Sequence, residues 1–463
     1  MIFEQYFLSC LSQASYLVGD ETTGRAVVVD PRRDVSDYLT AAEQHGLHIE
    51  HVIETHVHAD FVSGHLELAA ATGADICFGR GATTEFPARL LGDRERISLG
   101  EVSLEIRATP GHTPESICIV VYEHAGDMIP YGVLTGDTMF IGDVGRPDLL
   151  ASKGATPMEL ASLLFHSLHE QLLTLPDDTR VYPAHGAGSA CGKNLSTETW
   201  STIGQQRRSN HALLLGSEGE FVASVTEGQP SAPPYFPYDS HLNCESRQLL
   251  DDHQAPPALS LSQVLELQGA GAVVLDTRDP PDFAAGHLRA AINVGLGGRF
   301  AELAGAVLDP ADDIVLVCDP GHATEARVRL ARIGFDKVAG VLEGDVQAAM
   351  EEVPELTDRQ ARMTVEELAV QLSGDRPGVV VLDVRGTGER AAGAIEGSIG
   401  VPLAELIRRI DEIPSDHPIV VHCASGYRSS IAASVLAHHG RRAVSDLVGG
   451  YEAWAVLEDG RAG

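Results

Sequence analysis

Thr55-His56-Val57-His58-Ala59-Asp60-Phe61 is the stretch of this chain that says most about its fold. Two histidines and an aspartate alternate along it. On an extended backbone alternate side chains share a face, so His56, His58 and Asp60 are expected to converge on one spot. Imidazole and carboxylate together suit borderline metals such as zinc and iron. Phe61 comes next and has no lone pair, so a site that would hold two metals lacks a ligand there.

His51-Val52-Ile53-Glu54-Thr55 reads as a strand running into the motif, and Ala26-Val27-Val28-Val29-Asp30 as a buried strand before it, with helical period over 35–45 between them. Further strands are expected over 102–107, 117–122 and 132–134. Thr109-Pro110-Gly111-His112-Thr113 follows one strand, Thr135-Gly136-Asp137 another, and Tyr182-Pro183-Ala184-His185-Gly186 a third. A histidine or carboxylate at the end of successive strands, beside glycine, places its side chain at a common rim. With the opening stretch this makes four such segments in one domain, which argues against coincidence.

At 463 residues the chain should hold two to three domains, and 44% hydrophobic content is ordinary for a globular core. The formal net charge of −33 repels nucleic-acid phosphates and anionic membranes, so neither is an expected partner. Lys153, Lys193 and Lys337 are the only lysines. The N-terminus lacks the basic and apolar regions of a secretory signal, and no apolar run approaches the ~20 residues of a membrane helix. Seven scattered cysteines fit a reducing cytoplasm.

Gln229-Pro230-Ser231-Ala232-Pro233-Pro234-Tyr235-Phe236-Pro237 reads as a connector, with a domain boundary near 250. Beyond it one domain is repeated. Val273-Val274-Leu275-Asp276-Thr277-Arg278 matches Val380-Val381-Leu382-Asp383-Val384-Arg385, and Ile314-Val315-Leu316-Val317-Cys318 matches Ile419-Val420-Val421-His422-Cys423. Each copy alternates short β-branched strands with helical stretches, as in a small parallel α/β domain. In the second copy Cys423 begins a loop, Cys423-Ala424-Ser425-Gly426-Tyr427-Arg428, ahead of a helical stretch over 431–439. Backbone N–H groups at a helix start and the charge of Arg428 favour thiolate, which makes Cys423 a candidate nucleophile. The first copy reads Cys318-Asp319-Pro320-Gly321-His322-Ala323: the arginine is missing, Asp319 adds negative charge, and Pro320 removes a donor. That copy is expected to be a degenerate scaffold.

The four metal-type segments resemble the metallo-β-lactamase fold family, over most of residues 1 to 215. Within it, thioester hydrolases of the hydroxyacylglutathione hydrolase type carry a histidine at the position of Phe61 and hold two metals. Persulfide dioxygenases hold a single ferrous ion. The resemblance to the second group implies His56, His112 and Asp137 as iron ligands, one Fe(II) per chain, with three coordination positions open for persulfide and dioxygen. His58, Asp60 and His185 would then hydrogen-bond those ligands or metal-bound water, or be left over from a two-metal ancestor. Arg146, in Asp143-Val144-Gly145-Arg146-Pro147-Asp148, would pair with a substrate carboxylate or a structural acid. Gly188-Ser189-Ala190-Cys191-Gly192-Lys193 and Asp60-Phe61-Val62-Ser63-Gly64-His65 resemble persulfide dioxygenases fused to sulfurtransferases. Cys191, expected near the mouth of the site beside Lys193, would relay or sense sulfur.

The loop at Cys423 resembles the rhodanese sulfurtransferases, as do Asp383-Val384-Arg385 and Gly449-Gly450-Tyr451-Glu452-Ala453-Trp454. The loop over 423–428 is the short, sulfur-type loop rather than the longer one of the related phosphatases.

The expected architecture is therefore α/β and multi-domain: an αββα metallo-β-lactamase sandwich over 1–250, a degenerate rhodanese domain over 258–355 and an active one over 363–463. The resemblance implies oxidation of a low-molecular-weight thiol persulfide to sulfite, with Cys423 and Arg428 then forming thiosulfate, in sulfide detoxification in the cytoplasm. A homo-oligomer is expected. The alternatives are a zinc-dependent thioester hydrolase with an appended sulfurtransferase, and a sulfur carrier in which only Cys423 acts.

Overall fold

The structure, a computed structural model, describes residues 1–149, 155–193, 195–229, 231–373 and 378–462; Lys153 and Pro230, named above, lie outside them. The chain divides into two compact units: Met1–Asp252 with Ala331–Gly334, and His253–Leu330 with Phe335–Gly463.

In the first unit β-branched and aromatic runs build two six-stranded sheets. One contains β1 (Ile2–Leu8), β2 (Gln13–Asp20), β3 (Arg25–Val29), β4 (His48–Ile53), β5 (Asp75–Gly79) and β6 (Arg89–Leu91), side by side in chain order. The other contains β7 (Arg96–Ser98), β8 (Ser103–Ala108), β9 (Ile117–Tyr122), β10 (Gly132–Gly136), β11 (Arg180–Pro183) and β12 (Ser201–Thr202). Alternate residues point inward between the sheets, so that Tyr16, Val18, Val27, Val29 and Ile53 share one core with Leu104, Ile106, Ile117, Ile119, Val121 and Leu134. The opposite faces are covered by helices. Tyr38, Ala41 and Leu68, from α1 (Ser36–Gln44) and α2 (His65–Thr72), pack on Leu17, Val28 and Val52. Ala161 and Leu164, from α3 (Pro157–His166), pack on Cys118, Val120 and Val133. The result is the αββα sandwich, with strand ends meeting along one edge.

The second unit holds two five-stranded parallel sheets that repeat one topology. In one, Val273–Asp276 lies between Ile292–Asn293 and Ile314–Val317; in the other, Val380–Asp383 lies between Ile399–Gly400 and Ile419–His422. The helix after the second cysteine begins at Tyr427, immediately behind Gly426. No helix among the described residues is long and apolar enough to cross a membrane.

The proline-rich stretch does not behave as the expected connector. It leads into helix Phe236–Leu242 and then Asn243, which is buried in the first unit. The Asn243 amide donates to the carbonyls of His58 (2.9 Å) and Phe61 (2.8 Å), and its oxygen accepts from the Ser63 N–H (2.8 Å). Tyr235 Oη donates to the Asp60 carbonyl at 3.2 Å. Bulky apolar side chains around these prolines, Tyr235 and Phe236, are what draw the segment into the core.

Candidate metal centre and cysteine loops

Four strand ends deliver the site. Glu54-Thr55-His56 leaves β4, Thr109-Pro110-Gly111-His112 leaves β8, Asp137 follows β10, and Ala184-His185 follows β11. At the junction of β10 and Asp137 the turn requires glycine: Gly136 has φ +50°, and a side chain there would meet Thr55 Oγ1 at 2.6 Å.

His56, His112 and Asp137 are buried and present ligand atoms within 4.8 Å of one another. Asp137 Oδ2 lies 3.9 Å from His56 Nε2 and 3.5 Å from His112 Nε2, and has no hydrogen-bond partner. Both imidazoles are held with Nε2 free. His112 Nδ1–H donates to the Arg146 carbonyl at 2.8 Å. Thr55 Oγ1–H donates to Asp30 Oδ2 (2.8 Å), which leaves Thr55 Oγ1 to accept from His56 Nδ1–H (3.0 Å). Burial, followed by the charge of His58, keeps the His56 imidazole neutral. Burial works to raise the Asp137 carboxyl, but the imidazoles around it, His185 first, hold it far below the usual range. Two lone-pair nitrogens and an unpartnered carboxylate oxygen in a dry site fit a metal ion.

The convergence expected of His56, His58 and Asp60 does not occur. The strand ends at Ile53, the chain bends through the motif, and the three side chains enter three separate clusters. Period-two geometry holds only where a strand continues. His58 Nε2 faces Asp30 Oδ1 and Glu54 Oε2, both at 3.1 Å. Burial opposes a charge there, but those carboxylates outweigh it and hold His58 protonated. His58 is thus connected to the candidate ligand His56 by way of Asp30 and Thr55. His185 bridges two acids: Nδ1 to Asp137 Oδ1 and Nε2 to Asp60 Oδ2, each at 2.7 Å. Burial lowers its pKa, but Asp137 and Asp60 carry it up to about 10.

Arg146 is committed to a structural acid. It is buried, pairs with both oxygens of Asp148 at 2.7 Å, and donates to the Ala190 carbonyl at 3.2 Å. Cys191 is not at the mouth of the site but 1% exposed, beside Asp60 and His185. Burial, then the charges of Asp60 and Asp137, push its thiol well up. Lys193 does not counter them, because its amine is bound to the carbonyls of Ser224 and Glu227.

In the second unit Cys423 Sγ accepts the Gly426 N–H at 3.1 Å, and Gly426 has φ +116°. Tyr451 N–H and Glu452 N–H, opening the last helix, bind the carbonyls of Cys423 (2.8 Å) and Ala424 (3.0 Å) and so clamp the loop. Arg428 is not a free cation: both of its terminal nitrogens meet Glu389 at 2.7 Å. Tyr427 Oη donates to the Gly295 carbonyl of the first copy. Cys318 is buried and, with Asp276 and Asp319 nearby, its thiol is pushed up to about 11.

The metallo-beta-lactamase superfamily matches residues 8–185, and the rhodanese-like domain matches residues 260–352 and 364–456. A mitochondrial persulfide dioxygenase of Homo sapiens is 31% identical over 226 residues, covering 48% of this chain and 79% of that protein. This chain belongs to the persulfide dioxygenase family. The Bos taurus enzyme of the same name is 32% identical over 212 residues, covering 45% of this chain and 74% of that protein. A solved structure from Staphylococcus aureus, described as a metallo-beta-lactamase, is 33% identical with a TM-score of 0.66 and covers 73% of this chain and 98% of that one. The chain is thus an enzyme of the persulfide dioxygenase family fused to two rhodanese-like domains.

Four residues that matter to this persulfide dioxygenase fold escaped the sequence reading. Thr55 and Asp30 set the His56 tautomer, Asn243 fixes the loop behind it, and Glu389 occupies Arg428. Thr55 and Asp30 had a signal, since each ends a β-branched run beside the motif. Asn243 and Glu389 had none.

Proposed function

We propose that this protein oxidises the terminal sulfur of a low-molecular-weight thiol persulfide with dioxygen, at one ferrous ion, to sulfite and free thiol. Cys423 then transfers sulfane sulfur to sulfite, forming thiosulfate, and the pair of reactions removes sulfide-derived sulfur. The observation supporting this most is the triad itself: two imidazole Nε2 atoms and the unpartnered Asp137 Oδ2, with Phe61 where a two-metal hydrolase needs a donor.

His56, His112 and Asp137 would hold the ion. When bound, ferrous iron supplies the one-electron chemistry through which dioxygen reacts with a sulfur lone pair. The protein's own part is orientation and proton control. Thr55 and the Arg146 carbonyl keep both Nδ1 protons turned away from the reacting face. The His185 imidazolium balances the Asp137 carboxylate inside a dry wall. One persulfide, one dioxygen and one water give one thiol, one sulfite and two protons. At the second centre Cys423 Sγ attacks the terminal sulfur of another persulfide and its thiol leaves. Sulfite then takes that sulfur, and the thiolate returns to the Gly426 N–H.

Oxygen uptake with glutathione persulfide, measured beside metal content, tests the reading. Iron-dependent uptake lost in His112→Ala, and thiosulfate formation lost in Cys423→Ser with uptake intact, are expected. No iron-dependent uptake with any thiol persulfide, or hydrolysis of acyl thioesters without dioxygen, would overturn it.

A further inference from the structure

We propose that Tyr427 is a positioning residue for Cys423, and that the first rhodanese-like copy has become part of the sulfur-transfer site through the stretch that holds Tyr427, Gly295-Leu296-Gly297-Gly298. Both copies belong to the second compact unit. One stripe of the helix Tyr427–His438 is given over to the first copy. Tyr427, Ser430, Ser434 and His438 recur three or four residues apart and so share a face. The Tyr427 hydroxyl donates to the Gly295 carbonyl and has the Gly297 carbonyl 3.2 Å away. Ser430 Oγ–H donates to Asn293 Oδ1 at 3.2 Å, the Asn293 N–H donates to Ser434 Oγ at 3.0 Å, and His438 Nδ1–H donates to the Ala290 carbonyl at 2.7 Å.

The first copy carries residues for this task where the second has others. Asn293 pairs with Asp276 at the register position where Gly400 pairs with Asp383. Arg329 lies as far after Cys318 as Ser434 lies after Cys423. Asn293 Nδ2 donates to the carbonyls of Asp276 (3.0 Å) and Arg278 (2.9 Å), which leaves its oxygen to accept from Ser430. Arg329 donates to the carbonyls of Leu296 and Gly298, and its guanidinium lies 5.4 Å from the centre of the Phe300 ring. The carbonyls of Gly295 and Gly297 thus face Tyr427, while those of Leu296 and Gly298 are pinned by Arg329. The tether reaches the nucleophile in one step. Gly426, whose N–H donates to Cys423 Sγ at 3.1 Å, immediately precedes Tyr427. Fixing Tyr427 therefore fixes the donor that faces the sulfur, and a small displacement there costs rate rather than binding.

The inference rests on the reading of Cys423 as the sulfur-transfer nucleophile. Full-length protein, assayed anaerobically for thiosulfate formation from glutathione persulfide and sulfite, tests it. In Tyr427→Phe, which keeps the ring and removes the hydroxyl, kcat should fall about three- to tenfold while the KM for sulfite stays within about twofold. Hydrogen–deuterium exchange should quicken at least about threefold in the peptide over 424–428 and stay unchanged elsewhere in the second copy. Arg329→Met, in the other copy, should reproduce both effects. Because Arg329 acts only by way of the carbonyls that hold Tyr427, the double variant should lose no more than the larger single loss. Wild-type kcat in Tyr427→Phe, losses that multiply in the double variant, or faster exchange spread through the whole copy together with a lowered Tm would overturn the proposal. A wild type that forms no thiosulfate would instead overturn the sulfur-transfer reading on which it rests.

Discussion

Replacing Thr55 by valine removes one oxygen atom and nearly nothing else. The side chain is buried and isosteric, and the Thr55 N–H keeps its 2.7 Å bond to Asp30 Oδ1, so the local backbone stays in place. The loss is confined to the hydroxyl, which donates to Asp30 Oδ2 and accepts from His56 Nδ1–H. A buried donor left unpaired costs about 1–3 kcal/mol. Freed of its anchor, the His56 ring can rotate or take the other tautomer, and its Nε2 no longer waits for a metal. Losing such an outer partner weakens metal binding about 10- to 100-fold, equivalent to about 1.4–2.7 kcal/mol. Competition for Co(II) against a chelator of known affinity measures this, with thermal unfolding as the second readout; a fall in Tm of about 4–8 °C accompanies a loss near 2 kcal/mol in a domain this size. Thr55→Ser restores the oxygen and should bind within about threefold of wild type. Wild-type affinity in Thr55→Val, or equal weakening in Thr55→Ser, would refute the reasoning.

Asn243→Ala strips three buried backbone groups, on His58, Phe61 and Ser63, of their partner. It should cost about 3 kcal/mol and lower metal occupancy at the same time, read by denaturant unfolding and metal analysis. Glu389→Gln frees Arg428 from a half-exposed carboxylate. After screening the gain is about 0.5–1 kcal/mol, so the KM for sulfite in thiosulfate formation should fall about two- to fivefold with little change in kcat. Cys318, held up at about 11, should resist alkylation. At pH 8 its thiolate fraction is about 240-fold below that of an ordinary thiol; the more basic thiolate recovers about tenfold, leaving labelling about 20-fold slower, as peptide mass spectrometry can follow.

The strands of the first unit could be read from runs such as 117–122, because two-sided burial leaves continuous apolar sequence. The histidine and aspartate segments could be placed at strand ends for the same reason. Extending strand geometry past Ile53 misplaced His58 and Asp60, since hydrogen-bonded pairing, not residue type, decides where alternation stops. Adjacency in sequence makes Arg428 an activating charge for Cys423 and puts Lys193 beside Cys191; each is in fact held by a distant group, the Glu389 carboxylate and the Ser224 and Glu227 carbonyls. Long-range partners of this kind leave no local trace in a single sequence.

Asn243 also changes what counts as the metal-binding piece of the chain. A fragment ending before the prolines at 233 and 234 would contain every candidate ligand and would match the whole of the first family segment. It would nevertheless leave the loop carrying His58, Phe61 and Ser63 without the side chain that ties its turns together. For anyone excising this module, or following it as it emerges during synthesis, the centre is complete only once the chain has been made through Asn243.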